Sequence, residues 1–147
     1  MEIWDLYTED RKLTGKTIVR GEKIPEGYYH LGVQVWIRNP EGKYLISQRA
    51  ASRKNYPLYW ETVGGAVVSG EDPFQAALRE VKEEVGINLD PDKVQFIFTR
   101  HRTKIGDKVY NDLGDIYLAE FDGELDLATA KSEEVEQSRW LSKEEIR

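Results

Sequence analysis

Three carboxylates, Glu80, Glu83 and Glu84, stand at the spacing i, i+3 and i+4. On a helix turning about 100° per residue they share an arc of roughly 100°. Like charges held this close repel one another. A divalent cation turns that repulsion into binding, because carboxylate oxygens are the donors that Mg²⁺ and Mn²⁺ prefer. Arg79, one turn before Glu83, can orient that carboxylate and neutralise part of the stripe.

The flanking residues predict the helix that must carry these acids. Phe74, Ala77, Leu78, Val81 and Val85 recur at helical spacing and form an apolar stripe facing away from the carboxylates. Asp72 suits the N-cap, Pro73 the first helical position, and Gly86 the left-handed stop. One face is thereby anchored in a core while the other presents its acids at fixed geometry.

The pattern Gly65, five residues, Glu71, seven residues, Arg79-Glu80-Val81, one residue, Glu83-Glu84, one residue, Gly86-Ile87 fills every fixed position of a Nudix box, which it resembles. The resemblance extends more loosely over most of the chain. It implies an α+β fold, an α/β/α sandwich with a central mixed β-sheet. It also implies hydrolysis of a diphosphate linked to another group, with Mg²⁺ or Mn²⁺ as cofactor. By the same resemblance Glu80, Glu83 and Glu84 are metal ligands, joined by the backbone carbonyl of Gly64 or Gly65. Glu71 braces the loop, and Glu83, Glu80 and Arg79 belong to the catalytic set. A general base comes from the acids ahead of Trp140, namely Glu133, Glu134 and Glu136. Glu134 is the choice, by its distance before the tryptophan, and Glu80 is the alternative within the box. The substrate is expected to be a nucleoside diphosphate derivative or similar organic pyrophosphate. Family members often form homodimers, which sets that expectation here.

The N-terminal half, including the segments YYHLGVQVWI and YLISQRAASRKNYPLYW, is similar to Nudix proteins related to isopentenyl diphosphate isomerases. Those enzymes use a cysteine and a histidine-rich metal site. This chain has Gly64 roughly where the cysteine falls, Ala66 at one histidine position, and His30 alone as a match to the others. The intact hydrolase box outweighs the missing isomerase machinery. A non-catalytic nucleotide-binding module is the remaining alternative, and such domains usually show decay in the box glutamates.

Further elements are read from strand and turn signals. Ile3 to Tyr7 and Thr17 to Val19 read as short strands, Tyr28 to Ile37 as a longer one, and Tyr44 to Gln48 as its hairpin partner across Asn39-Pro40-Glu41-Gly42. Trp60 to Val63 leads into the glycine loop. Val94 to Thr99 and Asp115 to Phe121 are further strands, and Trp140-Leu141 ends another. Ser142 with Glu145 reads as the capping box of a last helix, expected to be truncated at Arg147. Basic residues that could meet substrate phosphates are Arg49, Arg53 and Lys54 in one loop, and Arg100, Arg102 and Lys104 after a strand. Arg49 and Arg53 are the substrate-binding candidates. Tyr56, Tyr59 and Trp60 could stack a base, with core packing an equal explanation for Trp60.

At 147 residues the chain is read as one domain, 1–147, large enough for its own core. A net charge of −6 and a pI near 5.1 argue against general nucleic-acid binding, which needs a broad basic face. The absence of cysteine excludes disulfides, thiolate nucleophiles and thiolate-held zinc, and accords with a cytoplasmic location. The N-terminus has no apolar run suited to a signal peptide or a membrane span.

Overall fold

The strand His30–Arg38 (β3) alternates strictly between buried and half-buried residues, and this alternation sets the two faces of the molecule. Leu31, Val33, Val35 and Ile37 point to one side, where they pack with Ala77, Val81 and Val85 of the helix Pro73–Val85 (α1) in one hydrophobic cluster. His30, Gly32, Gln34 and Trp36 point to the other. The computed structural model describes residues 2–53, 56–105, 108–125, 127 and 132–146. Among them no helix is long and apolar enough to cross a membrane.

Among the described residues, nine strands and two α-helices follow in chain order: β1 (Ile3–Tyr7), β2 (Leu13–Val19), β3, β4 (Tyr44–Arg49), β5 (Trp60–Glu61), β6 (Val63–Ala66), α1, β7 (Val94–Ile105), β8 (Lys108–Glu120), β9 (Val135–Leu141) and α2 (Lys143–Ile146). A short 3₁₀ turn, Pro91–Lys93, joins α1 to β7. β1 and β2 form a separate antiparallel hairpin, while the remaining seven strands make a mixed sheet. β3 runs parallel to β8 over nine register positions, His30↔Asp112 to Arg38↔Glu120, and antiparallel to β6 on its other edge. β4 pairs with β3 at Arg38↔Tyr44 and carries β5 and β9 along its length. Beyond that hairpin root, β6 takes the edge of β3, which sets the glycine strand beside β3 under α1.

α1 follows its expected caps. Asp72 accepts from the Phe74 N–H at 2.8 Å, and Gly86 adopts φ 75°, its N–H bonded to the Lys82 carbonyl. α2 begins at the Ser142/Glu145 capping box, each backbone N–H held by the other's side chain. Its Ile146 shares a cavity lining with Gln34 and Trp36, on the sheet face opposite α1. The layers are therefore helix, mixed sheet, helix, as expected.

The sheet exceeds the sequence reading most in β7 and β8. These form a long hairpin in which Arg100 and Arg102 lie within a strand and not after one. β8 begins at Lys108, ahead of the expected start at Asp115, and Asp112 and Asp115 are both buried within it. Asp115 is paired with Arg11 and accepts from Thr99 Oγ1 at 2.8 Å, while Asp112 is gripped by Arg102 at 2.6 and 3.2 Å. Arg11 reaches Asp115 from the β1–β2 turn and ties that hairpin to the main sheet. β2 also starts earlier than expected, with Gly15 inside it.

Candidate active site

Two helical turns and one distant loop converge on a cluster of carboxylates. Glu80 and Glu84 lie one turn apart on α1 and are buried, 8% and 5% exposed. Glu134, just ahead of β9, brings an exposed carboxylate to them, so that one oxygen from each of the three lies within 4.8 Å of the others. Burial pushes the Glu80 carboxyl up to about 7, against the pull of Arg79. Burial, then the negative charges of Glu80, Glu61 and Glu134, pushes Glu84 up to about 9. Carboxyls shifted in this way hold unfavourable charge that a cation would relieve.

Glu83 is placed differently from its neighbours. Its carboxylate is 58% exposed, lies outside the three-carboxylate cluster, and accepts from Arg79 Nη1 at 3.2 Å. The i+3 position turns it to the flank of the helix, whereas i+4 keeps Glu84 almost in line with Glu80.

Arg79 organises the surrounding loop. Its Nε and Nη2 grip both oxygens of Glu71 at 2.7 and 2.9 Å, Nη1 donates to Glu80 at 2.8 Å, and Nη2 also reaches the Ala66 carbonyl. The guanidinium holds Glu71 below the usual carboxylate range. Glu71 in turn accepts from the Val68 N–H at 3.2 Å. Asp5 of β1 supports the same loop, accepting from Ser69 Oγ at 2.6 Å and from the Gly70 N–H at 3.1 Å.

The two glycines of β6 leave room that side chains would take. A Cβ on Gly65 would stand 2.4 Å from the Glu80 carboxyl carbon, and one on Gly64 would stand 2.3 Å from the Val33 carbonyl oxygen. Glu84 also accepts from the Gly64 backbone. Glycine is the residue that lets the Glu80 carboxylate and β6 occupy this space together.

The two substrate-binding candidates are engaged in ion pairs. Arg49 donates to Glu61 at 3.0 Å, and Arg53 reaches Glu134 at 3.4 Å, at the edge of the cluster. Lys54 lies outside the described residues. Glu61 and Glu134 were both drawn in by tertiary pairing. Glu61 gave no sequence signal, because a lone acid at a strand end is ordinary. Beside Glu61 a cavity of about 670 Å³ is lined by Trp36, Trp60, Thr62, Arg139 and Ile146, with the Arg139 guanidinium 5.1 Å over the Trp60 ring. Tyr56 and Tyr59 pack on each other, with ring centroids 5.2 Å apart, and do not line this cavity. His30 stacks on Trp4 at 4.4 Å, and burial pushes its pKa below the ordinary value.

This geometry agrees with what the chain is similar to. The family model described as NUDIX domain matches residues 28–147. A Nudix hydrolase of Listeria monocytogenes is 38% identical over 147 residues, spanning 99% of this chain and 83% of that protein. An isopentenyl-diphosphate Delta-isomerase of Corynebacterium diphtheriae is 39% identical over 91 residues, which is 61% of this chain and 50% of that enzyme. A Deinococcus radiodurans crystal structure superposes with a TM-score of 0.72 at 22% identity, covering 99% of this chain and 86% of that one, a likeness of fold. With its complete box, its sheet and its relatives in agreement, the chain belongs to the Nudix hydrolase family.

Proposed function

We propose that the protein is a divalent-metal-dependent hydrolase that cleaves a diphosphate linkage in a nucleoside diphosphate derivative or similar organic pyrophosphate. The observation that carries this reading is the Glu80–Glu84–Glu134 cluster, two of whose members are buried carboxyls raised toward and above neutrality. An all-oxygen donor set with repelling charges fits a hard cation such as Mg²⁺ or Mn²⁺. Glu80, Glu84 and a Gly64 or Gly65 carbonyl would hold it, with Glu134 beside them and the exposed Glu83 available to a second cation. The cation supplies neutralisation of the phosphate oxygens around the attacked phosphorus.

The chain's own residues do the rest. Arg79 fixes Glu80 directly and fixes the loop through Glu71, so the carboxylates keep their positions when substrate arrives. Glu134 is the cluster member open to solvent and is assigned as general base. It takes the proton of a water whose oxygen forms the new bond to phosphorus. The bridging P–O bond breaks, and its electron pair leaves on the departing phosphate. Arg53, already beside Glu134, would meet a substrate phosphate. Arg49 would support the same region through Glu61. The cavity holding Trp36 and Trp60 suits a planar base. An isomerase with a cysteine acid is disfavoured because the chain has no cysteine. A cytoplasmic setting accords with that composition.

The test is product formation from nucleoside diphosphate derivatives and prenyl diphosphates, each with Mg²⁺, with Mn²⁺ and with chelator. Metal-dependent cleavage lost in Glu84→Gln is the expected result. Binding without turnover across the panel would favour the non-catalytic module, and double-bond isomerisation of a prenyl diphosphate would overturn the hydrolase reading.

A further inference from the structure

On the face opposite α1, the residues Ala66, Gly32, Gly114 and Arg100 form one cross-strand row through β6, β3, β8 and β7. The two central glycines leave a hollow of about 150 Å³, walled by His30, Arg100, Arg102 and Asp112. That is room for about five water molecules, enough for one phosphate group. Arg100 lies flat across the hollow, since a Cβ on Gly114 would come within 2.9 Å of its Nη2. Its buried Nε has no hydrogen-bond partner, and the same holds for His30 Nδ1. Asp112 accounts for only part of the positive charge. It is paired with Arg102 at 2.6 Å, while Arg100 Nη2 stands 3.9 Å away. Two guanidinium groups thus share one carboxylate, and the planar Arg100 guanidinium lies over the Gly114 floor with its side chain 39% exposed.

The hollow also borders the candidate active site. Gly65 and Ala66 line it from β6, whose other face lies against Glu80, and Gln34 lines both this hollow and the cavity of Trp36 and Trp60. With strands spaced about 4.8 Å apart, Gly114 lies roughly 10 Å from β6 along the sheet, and the carboxylate cluster lies beyond it on the other face, so several phosphate groups would separate the two.

We infer that this glycine-floored cradle is an anion subsite, in which Arg100 receives a phosphate of the substrate lying beyond the cleaved linkage. The inference rests on the hydrolase reading and sharpens its substrate class. Nucleotides with a further phosphate, such as triphosphates and tetraphosphates, are preferred over conjugates ending in a neutral group. Two variants address the cradle: Arg100→Gln removes the fork, and Gly114→Ala displaces it with its charge intact. Both should lower the ratio of kcat/KM for adenosine tetraphosphate over that for ADP-glucose by at least tenfold, with circular dichroism confirming the fold. An unchanged ratio would overturn the subsite and leave the hydrolase reading standing. Absence of metal-dependent cleavage of either compound would count against the hydrolase reading. Calorimetry then decides the subsite separately, using inorganic tripolyphosphate and metal-free protein. Binding weakened at least tenfold in both variants supports it. Equal binding, or none to the parent protein, overturns it.

Discussion

Replacing Gly65 by alanine should disable the site while the fold survives. The added methyl carbon would stand 2.4 Å from the Glu80 carboxyl carbon and 2.5 and 2.6 Å from its two oxygens. Carbon atoms in contact sit about 3.5–4.0 Å apart, so the carboxyl must retreat by about 1 Å. It can do so by rotating the end of the side chain. That motion forfeits the 2.8 Å bond from Arg79 and carries the charge away from Glu84 and Glu134. A charge-assisted hydrogen bond is worth about 1.5–3 kcal/mol. Arg79 keeps both oxygens of Glu71, so the net loss in stability should be nearer 1–2 kcal/mol, a fall in Tm of about 3–6 °C. Catalysis should suffer far more, because a misplacement of about 1 Å in a reacting constellation costs roughly 100-fold. The assay is kcat/KM at saturating Mg²⁺, with a melting curve and a calorimetric Mg²⁺ titration beside it. A Gly65→Ala protein with activity within about threefold of the parent would show that the space beside Glu80 is not needed, and the reasoning would fall.

Metal removal should make stability fall with rising pH. Glu80 and Glu84 titrate near 4.5 when unfolded but at about 7 and about 9 when folded, so the folded protein binds more protons between those values and loses stability as pH rises from about 5 to 8. In chelator, Tm should decline over that range, less steeply in Glu84→Gln, and Mg²⁺ should restore more at pH 8 than at pH 5; parallel slopes in the two proteins would contradict the assignment. Glu71 has the opposite sign, being held low by Arg79: its stabilisation is present at neutral pH and is lost as pH falls through its folded value. Glu71→Gln should therefore cost about 1–2 kcal/mol at pH 7 and progressively less as pH falls through the folded value, and a pH-independent deficit would refute the pairing. Arg11→Ala should leave the fully buried Asp115 with Thr99 as its side-chain donor among the described residues, destabilising by about 3 kcal/mol and lowering Tm by about 10 °C; an unchanged melting curve would show that Arg11 does not neutralise Asp115.

The acidic helix and its caps were legible in one short stretch, because helix periodicity, capping and glycine termination act between residues a few positions apart. Asp72, Pro73 and Gly86 each perform the expected task. The core faces of β3 and α1 were legible for the same reason, since alternation and the 3.6-residue period record burial directly. The full length of the β7–β8 hairpin was not, because the strands read as Val94 to Thr99 and Asp115 to Phe121 continue through Arg100, Arg102 and the buried Asp112, whose pairing is seen only across the sheet.

The sequence by itself determined that Glu80 and Glu84 share a helix face, that Arg79 stands beside them, and that glycines precede them. These are properties of local geometry. Only the tertiary structure decided that Glu134 completes the cluster, that Glu83 turns to Arg79, and that Arg100 lies over Gly114 in a cradle behind β6. Those outcomes depend on which strands pair and in what register. Strand pairing joins residues far apart in the chain, and spacing along the chain carries no record of it.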